Sequence, residues 1–131
     1  MGDKTAVSAL VPDKAGSGGG VSLKGVPASE GISTGRARVI SSAAELALVE
    51  AGEVIVTQFT NSSFNLVIGM AAGVVTELGG TLSHAAITCR EVRIPCVTNC
   101  ANALQRIPQG AEIEVNGSSG EVRVLMLPSR L

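Results

Sequence analysis

The chain has 131 residues, of which 45% are hydrophobic and 16% charged, and its 10 basic and 11 acidic side chains leave a formal net charge of −1. That length holds one domain with a real core and is too short for two ordinary ones. The even charge balance excludes the basic footprint of a nucleic-acid binder and a polybasic membrane patch, no apolar run is long enough to span a bilayer, and two Phe with no Tyr or Trp leave no base-stacking platform.

Residues 1–20 end in "GSGGG" and read as a flexible leader and linker, with the folded domain expected over residues 21–131. The start lacks the basic opening and long apolar core of a signal peptide, and "MGDKTA" fits a myristoylation pattern only loosely. In "VSLKGVPASEGISTGRARVI" short extended segments are broken by Gly and Pro, and the alternation in "GRARVI" marks a strand. "SSAAELALVEAG" reads as a helix, capped by Ser41 or Ser42, with Glu45 as the capping-box acid and Gly52 as the stop. "EVIVTQF" is expected to be a strand, and "NSSFNLVIGMAAG" a short, well-buried helix carrying Phe64, Leu66, Val67, Ile68 and Met70. "GVVTEL" is a short apolar run between glycines, which suits a strand covered on both faces. A Gly-Gly turn follows, then a helix over Ser83 to Glu91, a strand at "IPCVTN" and a short helix at "ANALQRI". "AEIEVNGSSGEVRVL" reads as a hairpin with Asn116-Gly117 marking its turn. Strands alternating with helices in the middle and paired strands at both ends give an α/β layered domain with antiparallel edge strands.

Three cysteines, Cys89, Cys96 and Cys100, form no C-x-x-C pair and have apolar neighbours such as Ile94 and Val97. They are expected to be buried small hydrophobes rather than metal ligands, and an odd number without a secretory signal points to a reducing, cytoplasmic setting.

His84 is the only histidine. It follows a strand, the tight turn Gly79-Gly80, and Ser83 at a helix start. A helix N-terminus presents unpaired N–H groups and partial positive charge, a natural cradle for a phosphate. The glycines remove side chains where an incoming group must approach, and Ser83 can cap the helix and offer its hydroxyl to the same anion. The dipole there opposes an imidazolium, and a neutral imidazole is a nucleophile. These residues therefore permit His84 to take up a phosphoryl group with backbone amides stabilising its oxygens. From residue type alone, however, the favoured reading is a partly buried histidine satisfied by one or two hydrogen bonds. A Ser-His-Asp hydrolase fails because no G-x-S-x-G elbow surrounds a serine, and no G-x-x-x-x-G-K-[ST] loop is present to bind ATP.

"GGTLSHAAITCREVRIPCV" closely resembles the phosphohistidine signature of the phosphoenolpyruvate-utilising enzymes, a group that includes pyruvate phosphate dikinase, phosphoenolpyruvate synthase, Enzyme I of the sugar phosphotransferase system and rifampin phosphotransferase. "LKGVPASEGISTGRARVI", "GEVIVTQFTNSSFNLVIGMAAGVVTELGG" and "GAEIEVNGSSGEVRVL" are similar to the opening, middle and end of that family's swivelling domain, so the resemblance covers roughly residues 22–125. It implies a swivelling three-layer β/β/α fold, with His84 as the phosphoryl carrier. Gly79, Gly80 and Ser83 match the residues around the phosphate, and Thr81 is adjacent but out of register. Arg90 matches the arginine of the family's "A-R-E", although it can equally serve an ion pair with Glu77 or Glu91. Leu82 stands where many dikinases and synthases carry a regulatory threonine, Cys89 replaces the usual alanine, and Arg93 the usual glycine. The "L-S-H" form is more like the rifampin phosphotransferase and synthase-like branch.

The resemblance further implies a carrier that accepts a phosphoryl group from ATP, through a separate ATP-grasp domain, or from phosphoenolpyruvate, and hands it to an acceptor such as pyruvate. No cofactor is expected on this domain, and ATP and Mg2+ are expected on the partner, for which 131 residues leave no room. Two alternatives stand beside this reading: a non-catalytic binding or assembly module with the same fold, and an anion-binding domain without covalent chemistry.

Overall fold

Burial on alternating faces of the central strands organises the molecule into layers. The structure is a computed structural model and describes residues 21–128; the leader expected over residues 1–20 lies outside the described residues. Among the described residues eight strands occur: β1 (Val21–Lys24), β2 (Val26–Ser29), β3 (Ile32–Ile40), β4 (Val54–Thr57), β5 (Gly73–Thr76), β6 (Cys96–Thr98), β7 (Glu112–Asn116) and β8 (Glu121–Met126). They form one sheet in the order β1-β8-β7-β3-β4-β5-β6-β2. Pairing is parallel from β3 through β4 and β5 to β6, and antiparallel everywhere else, including both edges.

Because successive side chains point to opposite faces, the parallel strands feed two cores at once. Val54, Val56, Val75 and Val97 turn one way, against Ile113, Val115, Val122 and Val124 of the antiparallel hairpin. Ile55, Val74 and Cys96 turn the other way, against Phe64, Val67, Ile68, Ala85, Ala86 and Cys89 of the helical layer. This is the expected β/β/α arrangement, and it explains why "GVVTEL" reads as uniformly apolar: all four residues of β5 are buried. Each such valine removed from water contributes roughly 1.5–3 kcal/mol.

Apart from the helix after the Gly-Gly turn, which has the expected length, the helices are shorter than the sequence pattern suggests. Over residues 41–52 only a 3₁₀ helix forms, Ala43–Leu48, and none of its residues is buried. Without a buried stripe to reward a full α-helix, the segment is held by its cap, with the Glu45 carboxylate accepting from Ser41 N–H at 2.6 Å. The segment expected as one buried helix is a 3₁₀ turn, Ser62–Phe64, running into a single α turn, α1 (Asn65–Ile68). Phe64, Val67 and Ile68 are buried as expected, but Leu66 and Met70 are exposed. A turn so short shows only one face to the sheet. Helix α2 (His84–Val92) and helix α3 (Ala103–Arg106) complete the set.

The β7–β8 turn is a four-residue loop rather than a two-residue one. Asn116 Oδ1 accepts from the N–H groups of Ser118 and Ser119 at 3.0 and 2.9 Å. Gly117 is required by close approach: a Cβ there would lie 1.7 Å from the Ser29 carbonyl oxygen. Arg93, at the C-cap of α2, has φ 64° and ψ 46°, a left-handed conformation that ordinarily falls to glycine.

Candidate active site

Strand β5 ends at Thr76, and the chain passes through Gly79 and Gly80 into α2. Gly79 has φ +101°, and a Cβ on it would stand 2.9 Å from the Ser83 Cβ, so the turn requires glycine there on two counts. Gly80 differs: a Cβ on it would meet nothing within 4 Å. The chain's own packing therefore leaves open space at Gly80.

Ser83 is the N-cap. Its Oγ accepts from Ala86 N–H at 3.4 Å and donates to the Gly80 carbonyl at 2.8 Å. Both bonds lie within the turn and helix, so the hydroxyl proton is engaged with the chain itself. The N–H groups of His84 and Ala85, first in the helix, have no backbone acceptor among the described residues.

His84 projects from the first turn of α2 and is half-buried. Its Nδ1 lies 2.7 Å from the hydroxyl of Thr60, a buried residue in the segment after β4. Its Nε2 lies 3.0 Å from Asn65 Oδ1, at the start of α1, and 3.4 Å from Thr88 Oγ1, one turn further along α2. Three elements thus converge on one ring. Thr60 and Asn65 were not identifiable as neighbours of His84 from spacing, since they lie 24 and 19 residues upstream. Thr88 alone carried a signal, its i+4 position on a helix.

The remaining expected residues support the turn rather than the ring. The Arg90 guanidinium donates from Nε to the Ala28 carbonyl at 2.8 Å and from Nη2 to the Thr81 carbonyl. The ion pair expected with Glu77 or Glu91 is not formed among the described residues. Glu77 instead accepts the Leu104 N–H at 2.8 Å, at the start of α3. Arg90 reaches backward along its helix, as long helical side chains do, and ties the glycine turn to β2. Thr81 enters through its carbonyl, while its side chain is exposed.

Cys89, Cys96 and Cys100 are all buried free thiols, as expected. The Cys89 side chain beside it, together with burial, pushes the Cys96 thiol up, and burial pushes that of Cys100 up to about 12. No group of three metal-ligating side chains occurs among the described residues, and none of their helices is long and apolar enough to cross a membrane.

The site is thus a capped helix N-terminus with a glycine turn and one histidine, carried on a β/β/α frame. The family model of the PEP-utilising enzyme mobile domain matches residues 49–120. The chain belongs to that family. It is 43% identical over 103 residues to a rifampicin phosphotransferase of Streptomyces sviceus, covering 79% of this chain and 12% of that protein. It is 42% identical over 102 residues to a phosphoenolpyruvate synthase of Pyrococcus furiosus, covering 78% of this chain and again 12% of the relative. The chain therefore corresponds to about an eighth of the length of these relatives. Among solved structures, the solution structure of Enzyme I is similar with a TM-score of 0.53 at 30% identity, over 60% of this chain and 33% of that one. An aconitase X of Thermococcus kodakaraensis shares the fold with a TM-score of 0.62 at 19% identity, over 81% of this chain and 99% of that one.

Proposed function

We propose that the domain is a phosphoryl carrier and that His84 Nε2 holds the group. The observation that carries the reading is the asymmetry of the ring. Nδ1 faces the buried Thr60, whereas Nε2 faces the exposed Asn65 beside the helix N-terminus. Only Nε2 lies on the side from which a phosphorus centre can approach in line. In the reacting tautomer Nδ1 carries the proton and Thr60 Oγ1 accepts it. The Nε2 lone pair then attacks phosphorus, the P–O bond to the leaving group breaks, and its electron pair departs on oxygen. The free N–H groups of His84 and Ala85 and the positive end of α2 stabilise the phosphoryl oxygens. Gly80 leaves room for them, Ser83 holds the helix end in place, and Arg90 fixes the turn through Thr81.

Donor and acceptor would come from partner domains: an ATP-grasp domain that holds ATP and Mg2+, or a phosphoenolpyruvate site, on one side, and pyruvate or another acceptor on the other. The face around His84 suits docking of this kind. Between Val54 and Cys89 the only charged residue is Glu77. Leu66, next to Asn65, is 81% exposed, and Leu82, two residues before His84, is 84% exposed. Exposed apolar groups around a reactive centre mark a surface that another body covers, and covering excludes the water that would hydrolyse a phosphohistidine.

The test uses the single histidine. Phosphoramidate phosphorylates accessible histidines without a partner enzyme. Intact-mass measurement should show one acid-labile phosphoryl group on the wild type and none on His84→Asn. A folded wild type that takes up no phosphoryl group would favour the binding or assembly module instead.

A further inference from the structure

The contact on Nε2 has the wrong polarity for a ready nucleophile. Asn65 Oδ1 has lone pairs and no proton, so at 3.0 Å it is a favourable neighbour only for an Nε2 that carries hydrogen. In the neutral ring Nδ1 is then bare and accepts from the Thr60 hydroxyl at 2.7 Å. The Thr88 oxygen is too far, at 3.4 Å, to replace Asn65 as the close partner. Nε2–H has no in-plane lone pair and cannot attack phosphorus.

We propose that Asn65 is a latch on His84: in the resting protein its side-chain oxygen holds the ring in the Nε2–H tautomer, and loading requires the amide to turn over. This rests on the reading of Nε2 as the carrier atom. The step balances through water, which takes the proton from Nε2 and returns one to Nδ1. Thr60 then changes from donor to acceptor. Asparagine suits this use because a half-turn of its amide exchanges an acceptor for a donor in the same place. The turned amide offers Nδ2–H to the bare Nε2 until phosphorus displaces it. Asn65 is exposed, so the turn meets no packing barrier. The resting histidine is thereby protected from adventitious phosphoryl donors, and an arriving partner domain need only displace one exposed amide.

The experiment is a two-bond proton–nitrogen correlation spectrum of the 15N-labelled protein, where one histidine gives one unambiguous pattern. The expected wild-type pattern at a pH where the ring is neutral has a pyrrole-like Nε2 and a pyridine-like Nδ1. Asn65→Ala should move the population toward Nδ1–H and speed phosphoramidate labelling about five-fold, the ratio one net hydrogen bond is worth. Asn65→Asp, which can only accept, should retain Nε2–H and label more slowly than wild type. A wild-type ring already in the Nδ1–H form, or an Asn65→Ala ring whose tautomer does not move, would overturn the latch. Failure of the carrier reading looks different: no adduct forms on either protein, while the spectra alone still decide whether Asn65 sets the tautomer.

Discussion

Thr60 is the residue on which the proposed chemistry leans most heavily after His84 itself. Its hydroxyl is the one group on Nδ1, and it comes from a buried position, so the ring has little freedom to choose another partner. Thr60→Val keeps the shape and removes the partner. Phosphoramidate labelling of His84 should fall about tenfold, the equivalent of roughly 1.4 kcal/mol. Thr60→Ser should restore most of the rate, which separates the hydrogen bond from the packing, and intact mass over a time course measures both. Nothing in the sequence announced Thr60, because a threonine after a strand is ordinary and its link to His84 is made by the fold. His84 stands out in the sequence for the opposite reason: it is the one histidine, at a glycine turn and a helix cap, yet those residues alone suit a satisfied core histidine as well as a carrier, and only the family resemblance separates the two.

At the scale of elements, the strands were legible and the helices only partly so. A strand buried on both faces writes its burial directly into sequence, as "VIV" and "GVVT" do. A helix whose length is set by tertiary contact does not, and residues 41–52 show the consequence: good caps and good propensity, but no buried residue within Ala43–Leu48 and only a 3₁₀ helix. Helix α2 is the exception, with its start fixed by Ser83 and its end by Arg93. That end is strained, since a residue with a Cβ pays for φ 64° where glycine would not. Arg93→Gly should therefore raise stability by about 1 kcal/mol, read as a higher denaturant midpoint with an unchanged slope. The side chain is exposed and has no ion-pair partner among the described residues, so little is lost in exchange.

For the molecule as a whole, the join between β3 and β4 brings the antiparallel and parallel halves together, and a nearly buried ion pair spans it. Arg38 Nε and Nη2 each donate to the Glu53 carboxylate at 2.9 Å, and Glu50 N–H adds a third bond at 2.8 Å. Burial pushes the Glu53 carboxyl up, but these hydrogen bonds and the Arg38 charge outweigh it and hold it below the usual 4.5. A folded-state value below the unfolded one means stability that is present above pH 4.5 and lost as pH falls through the lowered value. Thermal melts should thus fall more steeply below pH 4.5 for wild type than for Glu53→Gln. Arg38→Ala should cost about 2 kcal/mol at neutral pH, less than a fully buried pair, because Arg38 keeps 23% of its side-chain surface in water. The pairing order has a mechanical consequence as well. Strands β1 and β2, the two edges of the sheet, are consecutive in the chain and joined by Gly25 alone, and Val21 lies opposite Val124. The first and last described strands therefore run side by side, and any chain leading in or out meets the domain at one corner. A body gripped at a single corner can be turned like a key, carrying both its cores and its histidine as one rigid load, without any strand giving up its neighbour.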